Sequence, residues 1–194
     1  MRLIKAGAHL FCRYGINATG VDAIVTEAGT TKATLYKIFG SKEGLVEAVL
    51  EAESEAWRDW FAREIDALAC PASEKLVRIF DILKAWFNDQ SFYGCPFINA
   101  VGEHDKSDDS IRRAALRHKR AVLGKLTELS EEAGASDPHG LTHQLALLID
   151  GATVAALVTL DPGMADTARR AAQSIVAVET GDAAKLPGLR RQPA

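Results

Sequence analysis

Apolar residues along this chain recur at three- and four-residue intervals, the period of amphipathic helices, and they do so in short blocks near the N-terminus and long ones afterwards. Ile4, Ala8 and Phe11 share one stripe of a first helix over Arg2–Tyr14, with Leu3, Leu10 and Tyr14 flanking it and Gly15 ending it. Gly7 inside that helix costs about 1 kcal/mol relative to Ala, and nothing in the sequence accounts for it. Val21, Ile24, Val25 and Ala28 then fall at i, i+3, i+4 and i+7 of a short helix that Thr19 is placed to cap, with Asp22 in the capping-box position. Gly29 follows as a residue able to take positive φ, and Thr30 or Thr31 offers a hydroxyl to cap a second short helix, Lys32–Phe39. In that helix only Leu35 and Phe39 must face inward. Thr31, Lys32, Thr34, Tyr36 and Lys37 are left as a hydroxyl and ammonium face, which suits DNA. The pair reads as a helix-turn-helix.

The later blocks are longer. Ser41 is placed to cap a helix that Leu45, Val46, Val49, Leu50, Trp57, Trp60, Phe61, Ile65 and Leu68 carry to about Ala69, ~29 residues spanning roughly 43 Å. A rod of that length belongs to both a reading domain and a body and can transmit motion between them. Cys70-Pro71 breaks it, and Ser73 is placed to cap a helix over Glu74–Asp89 with Leu76, Ile79, Phe80, Leu83, Trp86 and Phe87 inward. The stretch from Gln90 to Asp105, QSFYGCPFINAVGEHD, is the least helical of the body and predicts a short bent helix at a pocket wall. From Ser110, Ile111, Ala115, His118, Val122, Leu126 and Leu129 form the inner stripe of another helix, stopped at Gly134. Its basic run, Arg112, Arg113, Arg117, Lys119 and Arg120, reads as a solvated face. Asp137-Pro138 opens a helix over His139–Leu160 that is apolar nearly all round, which implies burial on more than one side. After Pro162-Gly163 a last helix carries Ala165, Ala168, Ala172, Ile175 and Val176, and beyond Gly181 the pattern dissolves into a loose tail, 181–194. The expected fold is all-α with about nine helices.

Composition sharpens this picture at three points. A content of 47% apolar residues in 194 supports a substantial core. The nearest approach to a membrane span, Leu141–Leu160, carries His143, Gln144 and Asp150, and an amphipathic helix in place of a signal peptide begins almost at Met1, so a cytoplasmic protein without a membrane partner is expected. The three cysteines, Cys12, Cys70 and Cys95, are widely spaced with no CxxC, which indicates reduced thiols and no zinc site. The net charge of −3 argues against non-specific coating of nucleic acid, yet residues 1–45 hold six basic against three acidic side chains, +3, which leaves −6 for the rest. A basic end on an acidic body orients a molecule on DNA.

The segment LFCRYGINATGVDAIV followed by AGTTKATLYKIFGSKEGL resembles the DNA-binding domain of the TetR (tetracycline repressor) family, whose pattern runs FxxxGxxxTxxxxIxxxAGxxxxTLYxxFxxKxxL. Phe11, Gly15, Thr19, Ile24, Ala28, Gly29, Thr34, Leu35, Tyr36, Phe39, Lys42 and Leu45 all fall in register. The Gly94–Phe97 segment is similar to the GCPF segment of one branch of that family. The resemblance implies a three-helix helix-turn-helix domain over 1–45 and a larger helical effector-binding and dimerisation domain over 46–180. It implies a dimeric, ligand-responsive regulator, more often a repressor, on a pseudo-palindromic operator, with no cofactor and no metal. It also implies DNA contacts from Thr19, Thr31, Lys32, Thr34, Tyr36, Lys37 and Lys42. Lys42 opposes the macrodipole of its own helix, and a DNA phosphate there would account for it. Ile38 either meets a thymine methyl or packs inward. The family's habit of pairing its last two helices across a two-fold axis implies an interface from Leu148, Ala152, Ala155, Ala156, Ala168, Ala172 and Ile175. Aromatic density together with family habit implies an apolar or aromatic effector among Trp60, Trp86, Phe87, Phe97, His118 and Gln144.

Two other classes stay open on the residues. An enzyme would use Cys95, Glu103 and His104, with Asp105 nearby, but no nucleophile elbow, phosphate loop or recognised metal spacing supports it. A DNA-binding protein without effector remains compatible, because aromatics and a lone histidine at helical spacing are usually core.

Overall fold

The computed structural model describes residues 1–104 and 109–182, and every regular element among them is helical. In chain order these are α1 (Arg2–Tyr14), α2 (Val21–Glu27), α3 (Lys32–Phe39), α4 (Lys42–Asp66), α5 (Ala72–Phe87), α6 (Pro96–Glu103), α7 (Asp109–Glu132), α8 (Pro138–Thr159) and α9 (Met164–Glu179). Asp105 and nearly all of the expected tail lie outside the described residues. The chain divides into two compact units, one formed by residues 1–60 and 93–120, the other by residues 61–92 and 121 onward.

Several helix boundaries differ by a few residues from those read in the sequence, and three of the differences bear on the argument. The N-cap of α2 is Gly20, not Thr19, because the Thr19 hydroxyl is buried and donates to the Gly15 carbonyl at 2.6 Å. Asp22 has no capping role and instead reaches α3. The long helix α4 stops at Asp66, so it spans ~37 Å; its last turn tightens through Leu68 N–H donating to the Ile65 carbonyl before Pro71. The N-cap of α5 is Pro71, two residues ahead of the expected cap, and Ser73 lies inside the helix.

In the first unit, Leu10, Phe11, Ile24, Leu35, Leu45, Val46, Val49, Phe97 and Ile111 close one core. Gly7 now has a cause: a Cβ there would sit 2.9 Å from Cγ2 of Val49, so α1 approaches α4 so closely that any larger residue forces a neighbour to shift. In the second unit, α5 buries Leu76, Ile79, Phe80 and Leu83, each worth roughly 1.5–3 kcal/mol relative to exposure. Asp137 caps α8 through the Gly140 N–H at 2.9 Å, and Ser136 just before it bonds Glu179 at the end of α9. Lys84 and Asp166 tie α5 to α9 at 2.7 Å.

The sequence expectation that no stretch has the length and apolarity of a membrane span is corrected by α8, whose mean hydropathy over eighteen residues reaches 1.5. Its polar residues are too few to lower the average. Part of that apolarity faces the protomer core, through Leu141, Leu145, Ile149, Ala152 and Ala156. The rest faces outward.

Candidate nucleic-acid interface

The reading face begins with a turn. The Thr30 N–H donates to the Val25 carbonyl at 2.9 Å and the Gly29 N–H to the Thr26 carbonyl at 3.1 Å, the paired bonds of a Schellman motif, with Gly29 at φ 59°. Thr31 then caps α3, its hydroxyl accepting from the Thr34 N–H at 3.2 Å and lying 3.0 Å from the Thr34 hydroxyl. Leu35 is fully buried and anchors the helix. Lys32, Tyr36, Lys37 and Ile38 are exposed, Tyr36 by 48% and Ile38 by 60%, so Ile38 does not pack inward. The outer face of α3 therefore presents a phenol, two ammonium groups and one branched apolar side chain.

Side chains from neighbouring elements fix this face in place. Arg2 Nη1 donates to the Gly29 carbonyl at 3.3 Å, and His9 Nδ1 meets Glu27 at 2.8 Å, so α1 holds the end of α2 and the start of the turn. Lys32 Nζ lies 2.7 Å from Asp22 Oδ1, and that hydrogen bond raises the lysine above its ordinary range. Thr19 sits beneath the surface, holding the turn after α1. The Lys42 ammonium donates to the Ile16 carbonyl at 2.6 Å, which supplies a partner for a cation in a first turn. The same corner is clasped from α6: Asn17 N–H donates to Glu103 Oε2 at 2.8 Å, and Asn17 Nδ2 to the Glu103 carbonyl at 2.7 Å. Periodicity does not point to Asp22, Asn17 or Arg2 in these roles, because each acts across a turn or between elements distant in the chain.

The residues expected around an effector fall into both units. In the first, Phe97 stacks on His118 with centroids 4.0 Å apart and planes 9° apart, Trp57 meets His118 edge-on at 5.4 Å, and Trp60 meets Trp57 at 6.0 Å. Ser54 Oγ lies 3.0 Å from His118 Nδ1, and burial, then the charges of Arg58 and Lys119, pushes the imidazole down to about 4. His118 is therefore neutral near pH 7. Periodicity does not single out Trp57 and Ser54, one helical turn apart, since a mid-helix serine and an inward tryptophan look like ordinary core. In the second unit Trp86 and Phe87 close on Phe92 at 5.0 and 4.9 Å, and Gln144 is exposed on α8.

The cluster offered for chemistry is otherwise engaged. Glu103 is committed to Asn17, His104 Nδ1 donates to the Ala100 carbonyl at 2.6 Å, and Cys95 is the N-cap residue of α6. A cavity of about 20 Å³, room for one water, lies among Cys12, Glu53, Asn99 and Glu103. Burial pushes the Cys12 thiol up to about 11, so the thiolate is not favoured there, and burial also raises the Glu53 carboxyl above its ordinary range. Among the described residues no three His, Cys, Asp or Glu side chains converge on a metal position.

Of the residues expected between protomers, Ala152, Ala156, Ala168 and Ala172 are buried within the second unit, and Leu148, Ala155 and Ile175 are half-buried. The apolar face that α8 leaves open is Leu147, Gly151, Val154 and Val158, with Leu147 72% and Val158 75% exposed.

Comparison with known proteins agrees with this geometry. Residues 3–49 match the model of the bacterial regulatory proteins of the tetR family, and residues 72–172 match the tetracyclin repressor-like C-terminal domain. The HTH-type transcriptional regulator BetI of Vibrio parahaemolyticus is 27% identical over 158 residues, covering 77% of this chain and 76% of that protein. A TetR-family transcriptional regulator from Streptomyces coelicolor superposes with a TM-score of 0.84 at 27% identity, over 92% of this chain and 94% of that one. A putative regulator from Streptomyces avermitilis gives 0.74 at 28% identity, over 88% and 96%.

Proposed function

This chain belongs to the TetR family of bacterial regulatory proteins, and from that premise we propose a homodimeric repressor that occupies a pseudo-palindromic operator and leaves it when a small molecule binds. The observation that carries the reading is the outer face of α3, with Tyr36, Lys37 and Lys32 exposed on a helix that a Schellman turn and the Thr31 cap hold rigidly. Two such helices about a two-fold axis enter successive major grooves. Tyr36 and Lys37 take phosphate or base contacts, Thr31 and Thr34 offer hydroxyls, and Ile38 is placed to meet a thymine methyl. Lys42 keeps two of its three N–H groups for a phosphate while the third holds Ile16. Thr19 serves from below, through the Gly15 carbonyl, by fixing the turn that α1 and α2 share.

The open face of α8, Leu147, Val154 and Val158, together with Ile175 and Val178 on α9, is the surface proposed to pair with a second copy, the half-buried Leu148 and Ala155 lying at its border. For the effector, the neutral imidazole of His118 between Phe97 and Trp57, with Trp60 beside it, favours an apolar or aromatic molecule. Trp86, Phe87 and Gln144 are retained as a second group. Binding an operator places the protein in the bacterial cytoplasm. Relatives are transcriptional regulators rather than enzymes, and repression requires occupancy, not turnover.

Selection of bound sequences from random duplex DNA, followed by footprinting, tests this directly. One pseudo-palindrome protected by a dimer is expected. Tyr36→Phe and Lys37→Ala should each weaken its binding about tenfold, and Lys37→Ala should lower the salt slope by about one for each phosphate that Lys37 neutralises. A folded dimer that enriches no sequence, with or without extracts supplying or removing small molecules, would overturn the proposal.

A further inference from the structure

We propose that Asp22 sets the sequence discrimination of the reading head, by holding the Lys32 ammonium so that it is available to a base edge and withheld from the phosphate backbone. This rests on the DNA-reading function proposed for α3. Asp22 lies in the first turn of α2 and Lys32 is the first residue of α3, so their 2.7 Å contact spans the two helices of the motif. The Asp22 side chain is 81% exposed, which puts a carboxylate on the surface that must face a polyanion. A residue serving only affinity would not be negative there.

The pair acts as one nearly neutral donor. With one N–H of Lys32 given to Asp22, two remain. A guanine presents O6 and N7, neutral acceptors that can take both without disturbing Asp22. A phosphate oxygen reaching the same ammonium must come close to the Asp22 carboxylate, and repulsion between the two anions offsets most of the attraction. A lysine whose charge is cancelled locally also releases no counterion on binding, so it adds little to the salt-dependent, sequence-independent affinity. Lys37, exposed further along the same helix, has no acidic side chain held against it in this way among the described residues. Lys32 thus contributes to reading and Lys37 to holding.

The test is a salt series of binding to two duplexes, the sequence selected by the wild-type dimer and a shuffled duplex of equal composition, for wild type, Asp22→Asn, Lys32→Ala and the double variant. Asp22→Asn should bind the shuffled duplex about tenfold more tightly and steepen its salt slope by about one per subunit. Affinity for the selected duplex should change less, so discrimination falls. In the Lys32→Ala background the same substitution should leave the ratio of the two affinities unchanged. Asp22→Ser, which also removes the charge from an exposed position, guards against an effect peculiar to asparagine. Equal tightening on both duplexes, or an effect of Asp22→Asn that persists without Lys32, would reduce Asp22 to one unit of net charge and overturn the inference while leaving the regulator intact. A wild type that fails to distinguish the two duplexes would overturn the reading function and this inference together.

Discussion

The outer faces of α3 and α8 both exceed what a lone chain requires, and they do so with opposite chemistry. On α3, Lys32, Tyr36 and Lys37 are well hydrated when nothing is bound, so the face can wait in water at little cost. On α8, Leu147, Val154 and Val158 are apolar, and each exposed Å² disfavours the solvated state by roughly 25 cal/mol. A polar face can take a partner and release it as salt or ligand dictates. An apolar face gains by being covered, whatever the salt. The difference separates a reversible interaction from a standing one: DNA binding should weaken steeply with salt, and pairing of two copies should not.

The strongest way to break this comparison is to make the second face resemble the first. Val154→Glu combined with Val158→Glu places two carboxylates on the open side of α8, both at positions exposed in the protomer, so helix content should be preserved. Sedimentation should show a monomer at micromolar concentration. Operator affinity should drop by roughly a thousandfold, because a single reading head retains little beyond non-specific attraction. A double variant that stays dimeric would show that some other surface joins the copies.

How well each face can be read from sequence follows from how local its signals are. Around α3, Gly29, Thr31, Leu35 and Ser41 act on neighbours within about a turn, and the Thr31 and Ser41 hydroxyls do accept from Thr34 and Gly44. Thr19 has the position of a cap without the role, because its real acceptors, the carbonyls of Gly15 and Leu10, lie back along the chain. The same distance hides Asp22 from Lys32 and Asn17 from Glu103. On α8 the difficulty is different. A helix apolar on all sides has no contrast, so periodicity cannot say which stripe faces the protomer and which faces out. Small side chains such as Ala152 and Ala156 suit close approach to any neighbour, and here they are buried within the chain, while the branched residues face solvent.

A buried polar group in the first unit offers a smaller effect that sharpens the contrast with these exposed faces. His118 is held neutral by burial, with its ordinary value of 6.5 pushed down to about 4. Above pH 6.5 the folded and unfolded chains carry the same charge at this residue. As pH falls from about 6.5 to about 4, the unfolded chain takes up a proton that the folded one resists, so stability declines over that window and levels off below it. The full difference is about 3 kcal/mol. Urea denaturation across the window should show wild type losing that much more than His118→Gln, whose side chain does not titrate. Parallel curves would mean that water reaches the imidazole, as it does the exposed Lys32 and Tyr36. A ligand stacking in place of Phe97 would then be easier to admit than the tight 4.0 Å contact suggests.

The smallest expected effect concerns what supports the reading face from behind. Gly7→Ala should gain about 1 kcal/mol of helix propensity in α1. Its new Cβ, however, would meet Val49 Cγ2 at 2.9 Å, and overpacking of this kind typically costs about 1–3 kcal/mol. Steric strain wins by a margin of about 1 kcal/mol, so the variant should be slightly less stable despite the better helix former. The two terms separate in a double-mutant cycle. Val49→Ala removes the opposing methyl groups, and in that background Gly7→Ala should become neutral or stabilising, a change of sign that propensity alone cannot produce. Were Gly7→Ala to stabilise the wild-type background as well, α1 would have room to move away from α4. The glycine would then be incidental, and the rigid backing assigned to α3 would have to come from Arg2 and His9 instead.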